Sequence, residues 1–141
     1  MRKAIIILIM ILALGTKAQA HTINREDKAL EYDYNEILLL ERLTMSETSL
    51  ECYECKVATA VTVLKRAKMY NKSITDVIYE PYQYSLADNG TPTEEVKRAV
   101  LEAIQTESDY PDSMIYFRAY YYHDFGTPYK QIGGHYFSLA E

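Results

Sequence analysis

The chain has 141 residues, 15 basic against 20 acidic, for a net charge of −5. That is one small domain's worth of residues, with a core of modest size. An acidic balance argues against a nucleic-acid partner, because holding phosphates needs a positive surface. It leaves neutral polymers open: 14 Tyr and no Trp offer flat apolar rings with a hydroxyl, suited to stacking on sugars as well as to packing.

Residues 1–20 read as a targeting segment. Arg2 and Lys3 form the positive end, Ala4–Leu14 is an unbroken apolar run, and Ala18-Gln19-Ala20 fits a small-x-small cleavage site. The run falls short of the ~20 residues that a spanning helix needs. Export with removal of the segment is expected, which leaves no stable membrane span; an uncleaved N-terminal anchor is the alternative. Loss of Arg2, Lys3 and Lys17 leaves 12 basic against 20 acidic residues, a net charge of −8. With no internal repeats or linkers, residues 21–141 are expected to form a single domain.

Residues 21–34 are polar and read as a lead-in. Asn35 can cap a helix through Ile37, Leu38, Leu39, Leu40 and Leu43 that ends near Met45. A second helix is predicted over Tyr53–Met69, where Val57, Ala60, Val61 and Leu64 recur at helical spacing and Lys65, Arg66 and Lys68 suit the C-terminal dipole. Asn71 breaks it. Ser73–Tyr79 predicts one or two helical turns stopped by Pro81, and Asp88-Asn89-Gly90 predicts a turn. A third helix is predicted with Thr91 as N-cap, Pro92 at the first position and Glu94 closing a capping box, its stripe formed by Val96, Ala99, Val100, Ala103 and Ile104. Aromatic and β-branched residues then predict strands over Met114–Tyr122 and Ile132–Leu139, joined by a loop at His123–Gln131. The expected fold class is α+β, mainly helical, with a small antiparallel β-hairpin near the C-terminus.

The densest chemistry lies between Ser46 and Cys55. Glu47 falls at the rim of a packed helix, where loss of hydration raises a carboxyl pKa toward the range of a general acid. Paired with Glu51 or Glu54 it could supply the two carboxylates of an ordinary glycosidase, though such spacing is also that of a solvated face. If the backbone is helical, Glu51 shares a face with Glu47 and would tune its ionisation. Ser46 lacks a nucleophile-elbow motif. Cys52 and Cys55 could form a local disulfide or stay free thiols; with no βαβ pattern around them, redox catalysis is not expected. His21, His123 and His135 are too scattered for a metal site.

Four blocks in order resemble the spore cortex-lytic and related bacterial and phage cell wall hydrolases of the SleB/CwlJ type. Ser46-Glu47 through Lys65-Arg66 resembles the family's opening A-E-x-x-G-E-x-Y-E-G-Q-V-A-V-A-x-V-x-L-N-R. Ser73–Tyr79 followed by Gln83-Tyr84-Ser85 resembles its V-I-x-x-x-x-Q-F-S segment. Met114–Phe117 resembles a family strand, and Ile132–Phe137 its closing I-G-x-H-x-F. Leu50 and Cys55 replace family glycines and Lys56 a glutamine, which predicts a differently shaped loop after Glu47. The resemblance implies a lysozyme-like domain that cuts peptidoglycan glycan strands by lytic transglycosylation, with Glu47 as the acid/base. Gln83, Tyr84 and Ser85 are then expected to line the groove, and Glu51, Tyr116, Tyr120 and His135 to contact substrate. A water-using muramidase, an amidase on the same substrate and a non-catalytic wall-binding module are the alternatives. No cofactor or metal, no nucleic acid and a monomeric state are expected.

Overall fold

The computed structural model describes residues 31–87 and 90–141. The expected targeting segment, its cleavage site and most of the predicted Asp88-Asn89-Gly90 turn lie outside them. All elements below belong to one unit, Asp33–Glu141.

Helix α1, Tyr34–Thr48, starts two residues earlier than the sequence suggests: Asp33, not Asn35, is the N-cap, its carboxylate accepting the Asn35 amide at 2.8 Å. It also runs past Met45, so that Glu47 is a helical residue in the last turn rather than a residue beyond it. Helix α2, Tyr53–Tyr70, ends as expected at Asn71, whose φ of 51° gives a left-handed cap. Helix α3, Ile74–Ile78, is capped by the Ser73 hydroxyl. Helix α4, Glu94–Thr106, takes Thr93 as its cap rather than Thr91. The extended conformation forced on the residue before Pro92 keeps Thr91 out of the helix, and capping at Thr93 places Glu94 and Glu95 in the first turn, where the dipole favours them.

The core is built around α2, which packs against α1, α3, α4 and the sheet. Its spacing predicts one buried stripe, but every residue from Cys55 to Ala67 is buried. This is possible because most of those residues are small, and because the three cations reach the rim on long stems. Lys56 meets Glu95 at 3.2 Å, Lys65 meets Asp112 at 2.6 Å, and Arg66 holds Glu80 through both Nε (3.2 Å) and a terminal nitrogen (2.9 Å). Val61, Val63 and Leu64 are fully buried, each worth roughly 1.5–3 kcal/mol.

Three strands, not two, complete the fold: β1 Met114–Ala119, β2 Thr127–Ile132 and β3 His135–Leu139, antiparallel in the order β1-β3-β2. Strand β2 occupies the segment expected as a loop. It is an exposed edge strand with no inward face before Ile132, so it lacks the alternation that marks a strand, and an edge tolerates Pro128. Strand β1 stops at Ala119 because Tyr120 turns at φ 73°. The tight turn between β2 and β3 is Gly133-Gly134, with Ile132 opposite His135. Among the described residues no helix is long and apolar enough to cross a membrane.

Candidate active site

Glu47 sits half-buried at the C-terminal end of α1. Its carboxylate accepts the Ser85 amide at 3.3 Å. Burial pushes its pKa above the ordinary glutamate range, and the Ser85 N–H opposes that rise only in part. The preceding residue holds the same segment: the Ser46 hydroxyl donates to the Ser85 carbonyl at 2.7 Å and accepts the Ala87 amide at 2.8 Å. A nucleophilic role for Ser46 has no geometric support, since its hydroxyl is committed to backbone and His135 is paired elsewhere.

Gln83, Tyr84 and Tyr116 stand together in a groove of about 480 Å³, with Arg66, Tyr82, Ile115, Phe117, His123 and Phe125. The Tyr84 ring leans on Phe117, with centroids 6.0 Å apart, and Tyr116 meets Phe125 edge-on at 5.1 Å. Phe125 stacks on His123 at 4.5 Å, and His123 in turn reaches the Phe117 carbonyl at 3.2 Å. Arg66 lies 5.8 Å from the Tyr116 ring, a cation over a π face. Segment 82–87 thus borders the groove with Tyr82, Gln83 and Tyr84 and meets Glu47 with Ser85. Tyr82, His123, Phe125 and Arg66 carry no signal of this in the sequence; the fold alone gathers them.

The other expected site residues go elsewhere. Glu51 lies beyond the end of α1, and its carboxylate accepts the Gly134 amide at 2.8 Å. It therefore ties the α1–α2 loop to the β2–β3 turn and does not share a helical face with Glu47. A Cβ on Gly134 would come within 2.6 Å of that carboxylate, and one on Gly133 would clash with it while also straining a φ of 57°. His135 is buried, with 5% of its surface exposed, beneath Phe117 at 5.2 Å; it packs in the core, outside the groove residues. Tyr120 points into solvent on the turn after β1, outside the groove residues.

Cys52 and Cys55 are both free, so the possible disulfide is not formed. Cys52 is the exposed N-cap position of α2, whereas Cys55 turns into the core and meets His135 Nδ1 at 2.9 Å. Burial, followed by the negative charge of Glu51, pushes the Cys55 thiol up to about 12, and burial pushes His135 below its usual value. Both are neutral near pH 7, so the contact is a hydrogen bond between uncharged partners. An activated cysteine needs the opposite shift. Among the described residues no cluster of His, Cys, Asp or Glu could hold a metal.

A family model described as Cell Wall Hydrolase matches residues 50–138. A spore cortex-lytic enzyme of Bacillus cereus is 30% identical over 92 residues, which make up 61% of this chain and 36% of the relative. The chain thus spans about a third of the length of the curated relatives it matches. Among solved structures, the catalytic domain of the Bacillus cereus SleB protein superposes with a TM-score of 0.64 at 28% identity, covering 76% of this chain and 91% of that one. The catalytic domain of the germination-specific lytic transglycosylase SleB from Bacillus anthracis gives a TM-score of 0.63 at 27% identity, covering 76% and 96%.

Proposed function

Given that this chain belongs to the cell wall hydrolase family, we propose that it cleaves the glycan strand of peptidoglycan as a lytic transglycosylase, with Glu47 as its single acid/base. The family match begins three residues after Glu47, so the role of Glu47 is argued from its own surroundings. The observation that carries it is a half-buried carboxylate, raised in pKa by burial, at a helix end beside the groove wall.

In this reading the protonated carboxyl gives its proton to the glycosidic oxygen as the bond to the muramic C1 breaks. The Ser85 N–H then stabilises the carboxylate so formed. The muramic acid 6-hydroxyl closes on C1, and its proton passes to Glu47, which restores the acid. No second carboxylate is required, which suits the engagement of Glu51 with the Gly134 amide. Gln83, Tyr84, Ser85 and Tyr116 are proposed to contact the glycan, by ring stacking and amide or hydroxyl hydrogen bonds. The working form is proposed to be an exported monomer without cofactor.

Mass analysis of digested peptidoglycan tests this. Ends lighter by one water, with no gain in reducing ends, are expected. New reducing muramic ends would point instead to a water-using muramidase. Released stem peptides with intact glycan would indicate an amidase, and either result overturns the transglycosylase reading.

A further inference from the structure

Resting on the reading of Glu47 as the acid, we infer that Ser46 is a positioning residue: its hydroxyl fixes the 85–87 backbone against the end of α1 and so sets the surroundings of the acid beside it. The backbone of Ser85 is held from both sides. Its carbonyl receives the Ser46 hydroxyl at 2.7 Å, and its amide reaches Glu47 at 3.3 Å. Ala87 adds a third bond, its amide reaching the same Ser46 oxygen at 2.8 Å.

The lengths decide which residue positions which. At 3.3 Å the bond to Glu47 is at the long limit for N–H···O, while both Ser46 bonds lie in the normal range. The segment is therefore located by Ser46, and Glu47 takes the amide where Ser46 leaves it. Residues 84–87 lie in neither helix nor strand, and Ser85 and Ala87 are exposed residues, so no strand ladder would hold them if the hydroxyl were lost. The same segment continues into Tyr84, Gln83 and Tyr82 on the groove, so one hydroxyl ties the acid's cover to the groove wall.

The consequence for the acid has a sign. Burial is the larger influence on Glu47 and the Ser85 amide the smaller. The titratable group that faces it from this segment is the Tyr84 phenol, kept neutral by its own burial, with Arg66 acting on that phenol. A loosened segment removes cover as well as the amide, and the larger influence wins: Glu47 ionises at lower pH.

The test compares initial rates on dye-labelled peptidoglycan across pH for Ser46→Ala, Ser46→Thr, Ser46→Val and Glu47→Gln. Alanine is the best helix former, so Ser46→Ala keeps α1. It is expected to lose on the order of 10- to 10²-fold in rate at neutral pH, with the basic limb of the profile moved to lower pH. Threonine restores rate and limb; valine, of the same shape without the hydroxyl, does not. Amide hydrogen exchange at Ala87 is expected to speed up in the Ala and Val variants only, which tests the latch without any turnover. A wild-type rate and limb in Ser46→Ala, or unchanged Ala87 exchange, overturns the inference while an inactive Glu47→Gln leaves the acid reading standing. Activity retained in Glu47→Gln overturns that reading itself.

Discussion

Replacing Glu47 by Gln isolates the proposed acid, because the amide keeps the shape and can still accept the Ser85 N–H. Loss of a positioned acid/base costs typically 10²- to 10⁴-fold in rate, and that loss is the expected result on labelled peptidoglycan. The same substitution carries a stability signature with a defined sign. Burial raises the carboxyl pKa in the folded chain above its ordinary value of 4.5, so the folded state holds the proton more tightly than the unfolded one. The stability this contributes is fully present below pH 4.5 and is lost as pH rises through the folded value. Glutamine has no proton to lose there. The two proteins should melt alike below pH 4.5, with wild type falling behind the variant as pH rises above it. Near neutral pH the variant is expected to be the more stable by about 1 kcal/mol, the usual scale for relieving a functional group held against its preference; at this chain length that is a few degrees in Tm. Thermal denaturation of both proteins from pH 3 to pH 8 measures the gap. A gap independent of pH would refute burial as the source of the shift, and near-normal wall cleavage would refute Glu47 as the acid.

Glu51→Gln weakens the charge-assisted bond to Gly134 and is expected to lower stability by about 1 kcal/mol, with the basic limb of the pH–rate profile unmoved; a shifted limb would mean that Glu51 acts electrostatically on Glu47. Gly133→Ala meets both a clash with Glu51 and a φ of 57°, so a loss of about 2–4 kcal/mol in denaturant unfolding is expected, partly relieved when combined with Glu51→Ala. Iodoacetamide on the native protein should label Cys52 and spare Cys55, with mass spectrometry counting one adduct; Ser at both positions should leave cleavage within a few-fold, whereas a folded but inactive double variant would reopen thiol chemistry.

Local signals in the sequence located the helices but not all their ends: Asp33 and Thr93 cap where Asn35 and Thr91 were expected, and α1 runs past Met45. Apolar spacing at 3.6 residues located α2 and α4 to within a residue or two, and Ser73 and Asn71 marked the boundaries of short and long elements because capping is a contact between neighbours in the chain. The mainly helical α+β class followed, since the aromatic β1 and β3 were visible, although the strand expected over Ile132–Leu139 is divided by the Gly133-Gly134 turn, with Ile132 ending β2 and β3 starting only at His135. The ordered motifs pointed to the family. Tertiary structure decided the rest. Strand β2 exists because β3 offers it a partner, and an edge strand without an inward face leaves no periodic mark. Glu51 and His135 carry the residue types of a site, yet the α1–α2 loop meets the β2–β3 turn through one, and the other is sealed under Phe117 with Cys55. Ser46 and Glu47 find Ser85 across 38 and more positions, and Arg66, Tyr82, His123 and Phe125 converge on one groove from different elements. A pattern along one element records which face is buried; what that face meets is set by non-local packing, and no local pattern encodes it.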